Sequence, residues 1–134
     1  MVDVEAAFGS GHTWPAPSGS LTDTGLVEFG WWDGQVTYFG AQTHRLRFLR
    51  GNAGRALVSR YGRFRKRLLL RDLDLAVRAR GFQLEPRGSV NDGYAEYWQP
   101  STGMGVIAAT DPEVASPGTV LKMLGPTWRT PGIW

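Results

Sequence analysis

The chain has 134 residues, enough for one domain with a substantial hydrophobic core, and it contains no cysteine and only two histidines. Disulfide bridges and thiolate metal sites are therefore excluded, and we expect neither a metal centre nor an organic cofactor. No apolar run is long enough to cross a membrane, and the first residues lack the pattern of a signal peptide. We expect a cytoplasmic protein that does not associate with membranes.

Basic residues are concentrated in the middle of the chain. Thirteen of the fifteen Lys and Arg residues lie between Arg45 and Arg87, together with three acids, whereas residues 1–44 hold five acids and no basic residue. The net charge of +3 thus conceals a segment of net charge +10 that follows an acidic one. This pattern favours a polyanion, or an acidic protein surface, as the binding partner.

Residues 1–25 are predicted to form an arm that is flexible, held by a partner, or packed on its own domain. The stretch from Gly9 to Gly25 consists mainly of Gly, Ser, Thr and Pro, which bury too little apolar surface to offset the entropy of ordering. A large apolar side chain in such a segment is typical of an anchor that inserts into a pocket, for example on another subunit. We expect this role for Trp14, Trp128 and Trp134.

Residues 26–68 are predicted to form a β-meander followed by a basic helix. Strand patterns on either side of Asp33-Gly34 predict a β-hairpin, since this dipeptide readily takes the positive φ angles of a type I′ turn. A third strand is predicted from His44 to Leu49, where two arginines alternate with apolar residues. The apolar spacing between Leu57 and Leu68 then predicts a helix whose remaining faces are basic.

Residues 69–125 are predicted to form a helix, three strands and a second helix. The first helix extends from about Leu70 to Arg80 and ends at Gly81, a residue typical of the C′ position. The second helix is expected at 117–124, because Ser116 suits the N-cap and Pro117 the first helical position. The three strands are expected at Phe82 to Glu85, Tyr94 to Trp98 and Met104 to Ala109.

The expected fold class is α+β. It comprises the N-terminal arm and β-meander, the basic helix, and an α-β-β-β-α unit whose element order matches the double-stranded-RNA-binding-like fold. Residues 126–134 follow as an extended segment rich in Trp and Pro.

Short motifs in residues 69–125 resemble those of the HicA family of small mRNA-cleaving toxins. The resemblance implies RNA as the ligand and an antitoxin as a partner that covers the site. It is carried by Asp72-Leu73, Gly81-Phe82, Arg87-Gly88-Ser89, Tyr94-Ala95-Glu96-Tyr97-Trp98, Val106-Ile107 and Pro117-Gly118-Thr119-Val120-Leu121-Lys122-Met123-Leu124.

One position departs from the family's pattern. In HicA proteins a His directly follows the Gly-Ser and is implied to act in RNA cleavage, whereas this chain has Val90. Valine cannot transfer a proton, so a HicA-type ribonuclease activity would need another group, such as His44 brought in from the N-terminal half. The sequence therefore assigns no catalytic residue and favours a domain that binds RNA.

The predicted binding residues belong to the basic segment. Nine basic residues lie between Arg55 and Arg80 with only two acids, so ion pairs within the helices cannot neutralise them. We expect nucleic acid, with RNA favoured, to be contacted by Arg45, Arg47, Arg55, Arg60, Arg63, Arg65, Lys66, Arg67 and Arg87.

A second hypothesis treats the chain as a structural subunit of a larger assembly, such as a phage virion component. The acidic N-terminal arm of one subunit would then dock on the basic segment of the next, and the protein would be a homo-oligomer located in the virion. The two hypotheses differ in salt dependence, because nucleic-acid binding weakens steeply as salt increases.

Overall fold

One antiparallel sheet dominates the structure. The computed structural model describes residues 11–16, 19–48, 55, 58–60, 62–63, 67–88 and 93–125, and these contribute eight strands to the sheet. The strands are β1 (His12–Ala16), β2 (Gly19–Asp23), β3 (Val27–Trp32), β4 (Gln35–Ala41), β5 (Glu85–Gly88), β6 (Tyr94–Gln99), β7 (Met104–Ala109) and β8 (Val120–Leu124).

The described helical elements are short. Helix α1 is formed by Leu70–Ala79, and a 3-10 helix by Thr43–Phe48. Residues 55 and 58–60 are also helical. The fold is therefore mixed, as predicted, but it consists mostly of antiparallel sheet.

The sheet consists of two four-stranded meanders, each contributed by one half of the sequence. Its strand order is β1-β2-β3-β4-β8-β7-β6-β5, and every neighbouring pair is antiparallel. We call β1–β4 the N-terminal meander, β5–β8 the C-terminal meander, and the junction of β4 with β8 the seam. Only two residue pairs join the strands at the seam, namely Gly40 with Leu124 and Ala41 with Met123.

The core is centred on Leu124, which is fully buried at the seam. Leu124 pairs with Gly40 on β4 and with Gly105 on β7. A Cβ atom on Gly40 would lie 2.8 Å from Leu124 Cδ2, so the glycine leaves the space that the leucine fills. Leu21 from the N-terminal meander and Trp98 from the C-terminal one both pack against Leu124. The two meanders thus share one core.

The hairpin between β3 and β4 is confirmed. Asp33 and Gly34 form its turn with φ angles of 50° and 74°. Positive φ at both central residues is the property of a type I′ turn, whose twist matches that of the flanking strands. The local signal was sufficient here because the turn residues alone determine the geometry.

Helix α1 ends as the sequence predicts. The Gly81 N–H donates to the Arg78 carbonyl (2.9 Å) and the Phe82 N–H to the Val77 carbonyl (3.1 Å), with φ of 81° at Gly81. This is a Schellman motif with glycine at C′. The segment before α1 bonds to β8, since the Val120 N–H donates to the Leu68 carbonyl (2.8 Å).

The segment before α1 lies beside β8, and β5 follows the helix. Because β7 and β6 lie between β8 and β5 in the sheet, the connection through α1 has to pass both strands. A helix of 10 residues is about 15 Å long, which matches the roughly 14 Å that separate strands three positions apart. None of the helix residues is fully buried. Helix α1 is therefore a surface element in the connection from the segment beside β8 to β5.

The predicted arm requires a correction where it is described, because residues 12–16 and 19–23 are strands of the sheet. The segment buries little apolar surface, but ladder hydrogen bonds of β1 to β2 and of β2 to β3, together with hydroxyl contacts, stabilise it. Thr22 Oγ1 lies 2.8 Å from Thr13 Oγ1 and accepts a hydrogen bond from Trp31 Nε1 (2.9 Å). Each of the two strands pairs with the next one in the chain, and this pairing outweighs the composition of the segment.

The strand predicted from His44 to Leu49 is also wrong, because Thr43–Phe48 form a 3-10 helix. Thr43 Oγ1 donates to the Val120 carbonyl (3.0 Å) and His44 Nδ1 to the Leu121 carbonyl (2.8 Å). Side chains of this segment thus bind the backbone of β8, and these contacts hold the segment in a tight turn. The alternation of arginine and apolar residues was misleading.

The helix predicted at 117–124 is a strand for most of its length, since Val120–Leu124 form β8. Ser116 and Pro117 precede a turn in which Gly118 has φ of 83°, and β8 then pairs on both sides. The pairing of β8 with both β4 and β7 outweighs the helix-start signal of Ser116 and Pro117. The strand predicted at Phe82 to Glu85 begins later, at Glu85.

The order α1, β5, β6, β7 follows the prediction for residues 69–125, but a strand takes the place of the final helix. Strands β6 and β7 lie where they were predicted, with β6 one residue longer. Residues 1–10 and the tail 126–134 lie outside the described residues. The helix predicted between Leu57 and Leu68 is helical at residues 58–60 but wrong at 62–63 and 67–68, which are not helical; Gly62 has φ of 81° and its N–H donates to the Val58 carbonyl (2.8 Å), which is typical of a helix end. Residues 57, 61 and 64–66 lie outside the described residues.

Candidate nucleic-acid interface

Exposed arginines extend along the segment that leads into and through α1. We call Arg55, Arg60, Arg63, Arg67 and Arg80 the basic surface, since all five are exposed. They include four of the sequence-predicted binding residues. Arg65 and Lys66 lie outside the described residues, as does the side chain of Arg47.

The two acids between residues 55 and 80 both lie on α1 and both face arginines of the same helix. Asp72 Oδ1 is 3.8 Å from Arg71 Nε, and Asp74 Oδ2 is 2.9 Å from Arg78 Nε, one turn further along. Surface pairs of this kind contribute little to stability. Two acids cannot balance the nine basic residues of the segment, which therefore carries an excess of positive charge.

Arg45 is engaged inside the chain. Its Nη1 lies 2.5 Å from Asp23 Oδ2 on β2 and donates a further hydrogen bond to the Gly25 carbonyl (3.2 Å). Burial raises the pKa of Asp23, but hydrogen bonds from Arg45 and the Gly25 N–H, and the charges of Arg45 and Lys122, bring it below its ordinary value. The structure therefore places this predicted binding residue in a structural ion pair.

A second ion pair lies at the seam. Lys122 Nζ on β8 is 2.6 Å from Glu28 Oε1 on β3, and Gln42 Nε2 donates to Glu28 Oε2 (3.0 Å). Glu28 is almost fully buried, so this contact links the two meanders away from water. Asp23 and Glu28 are two of the five acids in residues 1–44, and both are neutralised within their own chain.

Arg87 occupies the rim of the sheet on β5. Its guanidinium carbon lies 4.7 Å from the centroid of the Trp98 ring, and its Nε lies 3.7 Å from Glu96 Oε1. Burial raises the pKa of Glu96, and the charge of Arg87 offsets only part of this effect. We call Arg87 and Glu96 the rim pair.

The rim pair could have been anticipated in part. Glu96 and Trp98 are two residues apart on β6, so they face the same side of the sheet, and β5 and β6 are neighbours. Nothing in the sequence signals the pairing of Asp23 with Arg45, because that contact depends on the 3-10 helix.

Neither of the two histidines, both of which the structure describes, lies on a strand next to that of Arg87, since His12 is on β1 at the opposite edge of the sheet. His44 lies against β8, and β7 and β6 separate it from the strand that carries Arg87. Within the described ranges, no cluster of His, Asp and Glu could hold a metal ion. No helix in the described part of the chain is long and apolar enough to cross a membrane.

The predicted anchors are described only in part. Trp14 lies on β1, is half-buried, and its ring centroid is 5.4 Å from that of His12. Trp128 and Trp134 lie outside the described residues.

Comparisons with models of protein families, with curated proteins and with solved structures found no match to this chain.

Proposed function

We propose that the protein binds nucleic acid through the basic surface. One observation carries this proposal. The segment 55–80 has nine basic residues, and its only two acids already face Arg71 and Arg78. The phosphate backbone of a nucleic acid is the polyanion that such a surface fits, since Lys and Arg side chains release its condensed counterions on binding.

RNA is the favoured polymer in this proposal because of the resemblance to HicA proteins. The order α1, β5, β6, β7 agrees with a double-stranded-RNA-binding-like unit in residues 69–125, although β8 stands in place of its last helix. A cytoplasmic location and an antitoxin partner belong to the same proposal.

The proposed activity is binding rather than cleavage. Val90 occupies the position at which HicA proteins carry the cleaving His, and His44 is held at β8. General acid–base cleavage near neutral pH needs a group that exchanges protons in that range.

The proposal is tested by measuring the affinity for a labelled single-stranded RNA at 50 to 200 mM salt. We expect log K to fall linearly with log salt concentration, by about 0.7 for each phosphate contacted. In the variant Arg63→Ala/Arg67→Ala, the slope should become shallower by about 1.4, because two phosphate contacts are lost. Fluorescence anisotropy measures both quantities, and duplex DNA as a competitor tests the preference for RNA.

The matched control is Arg71→Ala/Arg78→Ala, which removes the same number of charges from exposed positions. Each of these arginines already faces an aspartate, so the slope should change less than in the first variant. If the wild-type protein fails to bind RNA or DNA even at the lowest salt concentration, the proposed function is wrong.

A structural subunit of an assembly, such as a virion component, is the second candidate. It is favoured by exposed apolar side chains, since Leu75 on α1 is 66% exposed and Trp32 on β3 is 58% exposed. The acidic arm is less suited to docking than the sequence suggested, because Asp23 and Glu28 are paired internally. The edge strands β1 and β5 contain Pro15 and Pro86, which limit edge-to-edge pairing.

Sedimentation velocity distinguishes this second candidate from the first. A larger assembly that forms without nucleic acid, and dissociates in Leu75→Ser or Trp32→Ser, would support it. A monomer at all concentrations would contradict it.

A further inference from the structure

The two ends of the seam differ. Where β8 begins, the side chains of Thr43 and His44 bind two of its backbone carbonyls. At its other end β8 stops at Leu124, while β4 extends from the seam back to Gln35. Among the described residues, the stretch 35–38 of β4 pairs with β3 only, and we call this stretch the β4 edge. An edge of this kind offers backbone groups to a further strand.

The C-terminal tail, residues 126–134, begins beside the β4 edge. The Gly125 N–H donates to the Phe39 carbonyl (2.7 Å), which continues the antiparallel pairing of β8 with β4 by one residue beyond Leu124. The Phe39 ring also lies over Gly125, since a Cβ atom on this glycine would be 2.5 Å from the ring. A chain that continues in this direction runs along the β4 edge toward the hairpin turn, and nine residues are more than enough to pair with it.

The prolines of the tail are compatible with such pairing. N–H groups alternate in direction along an antiparallel strand, and that of Gly125 points to β4. In a strand that continues β8, the nitrogen of Pro126 therefore points away from β4, and its missing N–H is not needed there. Pro131 follows after the residues that can face the β4 edge.

Exposed apolar side chains lie on both faces of the hairpin that carries the β4 edge. On one face Val36 is 40% exposed and Phe39 43% exposed, and a β-bulge between them brings both to the same side. On the other face Trp32 is 58% exposed. The side chains of a strand alternate between the two faces of a sheet, so a strand added at the edge covers apolar surface on both. The tail supplies a large apolar side chain for this purpose in Trp128.

We propose that the β4 edge is an interaction surface for the chain's own tail, which adds to it as a further strand anchored by Trp128. The start and direction of the tail favour this occupant over a second copy, because Gly125 is already hydrogen-bonded to β4 of the same molecule. Main-chain hydrogen bonds supply the pairing and the tryptophan supplies the specificity, as in other cases of strand addition. Trp128 is thus an anchor within its own subunit, and this contact does not depend on the binding of nucleic acid.

Trypsin cleavage after Arg129, the only basic residue of the tail, tests the proposal in the full-length protein. Mass spectrometry follows the initial rate at which the fragment 130–134 is released, and a synthetic peptide of residues 126–134 gives the rate for an undocked tail. Cleavage of a segment that must first open follows the population of its open form. Release from the protein should therefore be at least about tenfold slower than from the peptide.

Two results would overturn the proposal. Release from the protein at the rate of the peptide would show that the tail does not dock. Protection that increases with protein concentration would assign the edge to the tail of a second copy, because docking within one molecule does not depend on concentration.

Paired variants of exposed apolar side chains test where the tail docks. Val36→Ser/Phe39→Ser should speed the release about tenfold, because the tail loses apolar surface that it covers. The matched control Leu75→Ser/Phe82→Ser changes two equally accessible apolar side chains at α1, which are 66% and 41% exposed. It should alter the rate by less than about twofold, since distant sites act independently. Equal acceleration by both variants would place the tail elsewhere and overturn the proposal.

The anchor is tested by Trp128→Ser, with the rate divided by that of a peptide carrying the same substitution, because residue 128 also contacts the protease. This ratio should rise about tenfold, since a large apolar side chain no longer leaves water on docking. Trp134→Ser is the control and should raise the ratio by less than about twofold, because residue 134 lies past the residues that can face the β4 edge. Equal effects of the two substitutions would overturn the assignment of Trp128 as the anchor.

Discussion

The N-terminal meander and the rim of the sheet each hold an acid that faces an arginine, and the pKa values of the two acids are shifted in opposite directions. In the N-terminal meander, Asp23 is 13% exposed and its pKa is lowered. At the rim, Glu96 is also 13% exposed and its pKa is raised. The two acids are thus equally exposed, so burial alone does not decide whether the pKa is raised or lowered.

Hydrogen bonds account for the difference. The Asp23 carboxylate accepts bonds from Arg45 Nη1 (2.5 Å) and from the Gly25 N–H (2.7 Å), whereas Glu96 lies 3.7 Å from Arg87 Nε. Donors that bind the charged form lower the pKa of an acid, and a charge at longer distance compensates less for burial. The pair of Asp23 with Arg45 is thus held by hydrogen bonds, whereas the 3.7 Å contact of the rim pair is mainly Coulombic.

Two further side-chain contacts cross the seam, where they add to a short backbone ladder. Only two residue pairs join β4 and β8, so the backbone ladder at the seam is short. Side-chain contacts add to this ladder, because Glu28 forms an ion pair with Lys122 and Thr43 donates a hydrogen bond to the Val120 carbonyl. Loss of these contacts should weaken the connection between the meanders.

The largest effect is expected for Lys122→Met. This change leaves the Glu28 carboxylate buried without its cationic partner, and breaking a buried pair in this way costs about 3–5 kcal/mol. The free energy of unfolding from urea denaturation measures the loss.

The double variant Glu28→Gln/Lys122→Met is the control, because it removes the charge along with its partner. It should be more stable than Lys122→Met alone. If the double variant is the less stable of the two, the buried charge is not the source of the destabilisation.

A smaller effect is expected for Asp23→Asn. The amide can still accept the Gly25 N–H but cannot pair with Arg45, and we expect a loss of about 1–2 kcal/mol at pH 7, since Arg45 is partly exposed. Because the folded-state pKa of Asp23 is lowered, its contribution is present above the ordinary pKa of an aspartate, near 4, and is lost as the pH falls through the folded-state value.

Urea denaturation of wild type and Asp23→Asn at several pH values between 7 and 3 checks this expectation. The difference between the two proteins should shrink below about pH 4. A difference that stays constant over this range would show that the ion pair with Arg45 is not its cause.

Sequence patterns were sufficient where the determining residues are close together in the chain. Asp33-Gly34 and Gly81 carry the positive φ angles that their motifs need, and β6 and β7 have clear strand patterns. β1 and β2 were missed because their Gly, Ser, Thr and Pro content suggested an arm, although each pairs with the strand that follows it in the chain. β8 was missed because its strand state depends on a pairing partner far away in the sequence. For β8 the partner on one side is β4, about eighty residues earlier in the chain.

The candidate site was predictable to a similar extent. Charge counting located the exposed arginines of the basic surface, because an excess of nine basic residues over two acids does not depend on the fold. It also included Arg45 and Arg87, whose acidic partners lie on other strands. Counting within one segment cannot reveal contacts made across the sheet.

The smallest effect on stability is expected for Glu96→Gln, and its sign with pH is opposite to that of Asp23→Asn. The raised pKa means that the fold favours the protonated form, so the contribution of Glu96 is present below its ordinary pKa and is lost as the pH rises through the folded-state value. At pH 7, Glu96→Gln should be within about 1 kcal/mol of wild type, because the relief from burying a charge offsets the lost attraction to Arg87.

Thermal unfolding at pH 7 and pH 4 tests this sign. Relative to wild type, Glu96→Gln should be more stable at pH 7 than at pH 4, and Glu85→Gln, at an exposed position of the neighbouring strand, serves as the control. If Glu96→Gln loses as much stability at pH 7 as Asp23→Asn does, the rim pair contributes as much as the pair of Asp23 with Arg45. The longer distance between Glu96 and Arg87 would then not explain the raised pKa of Glu96.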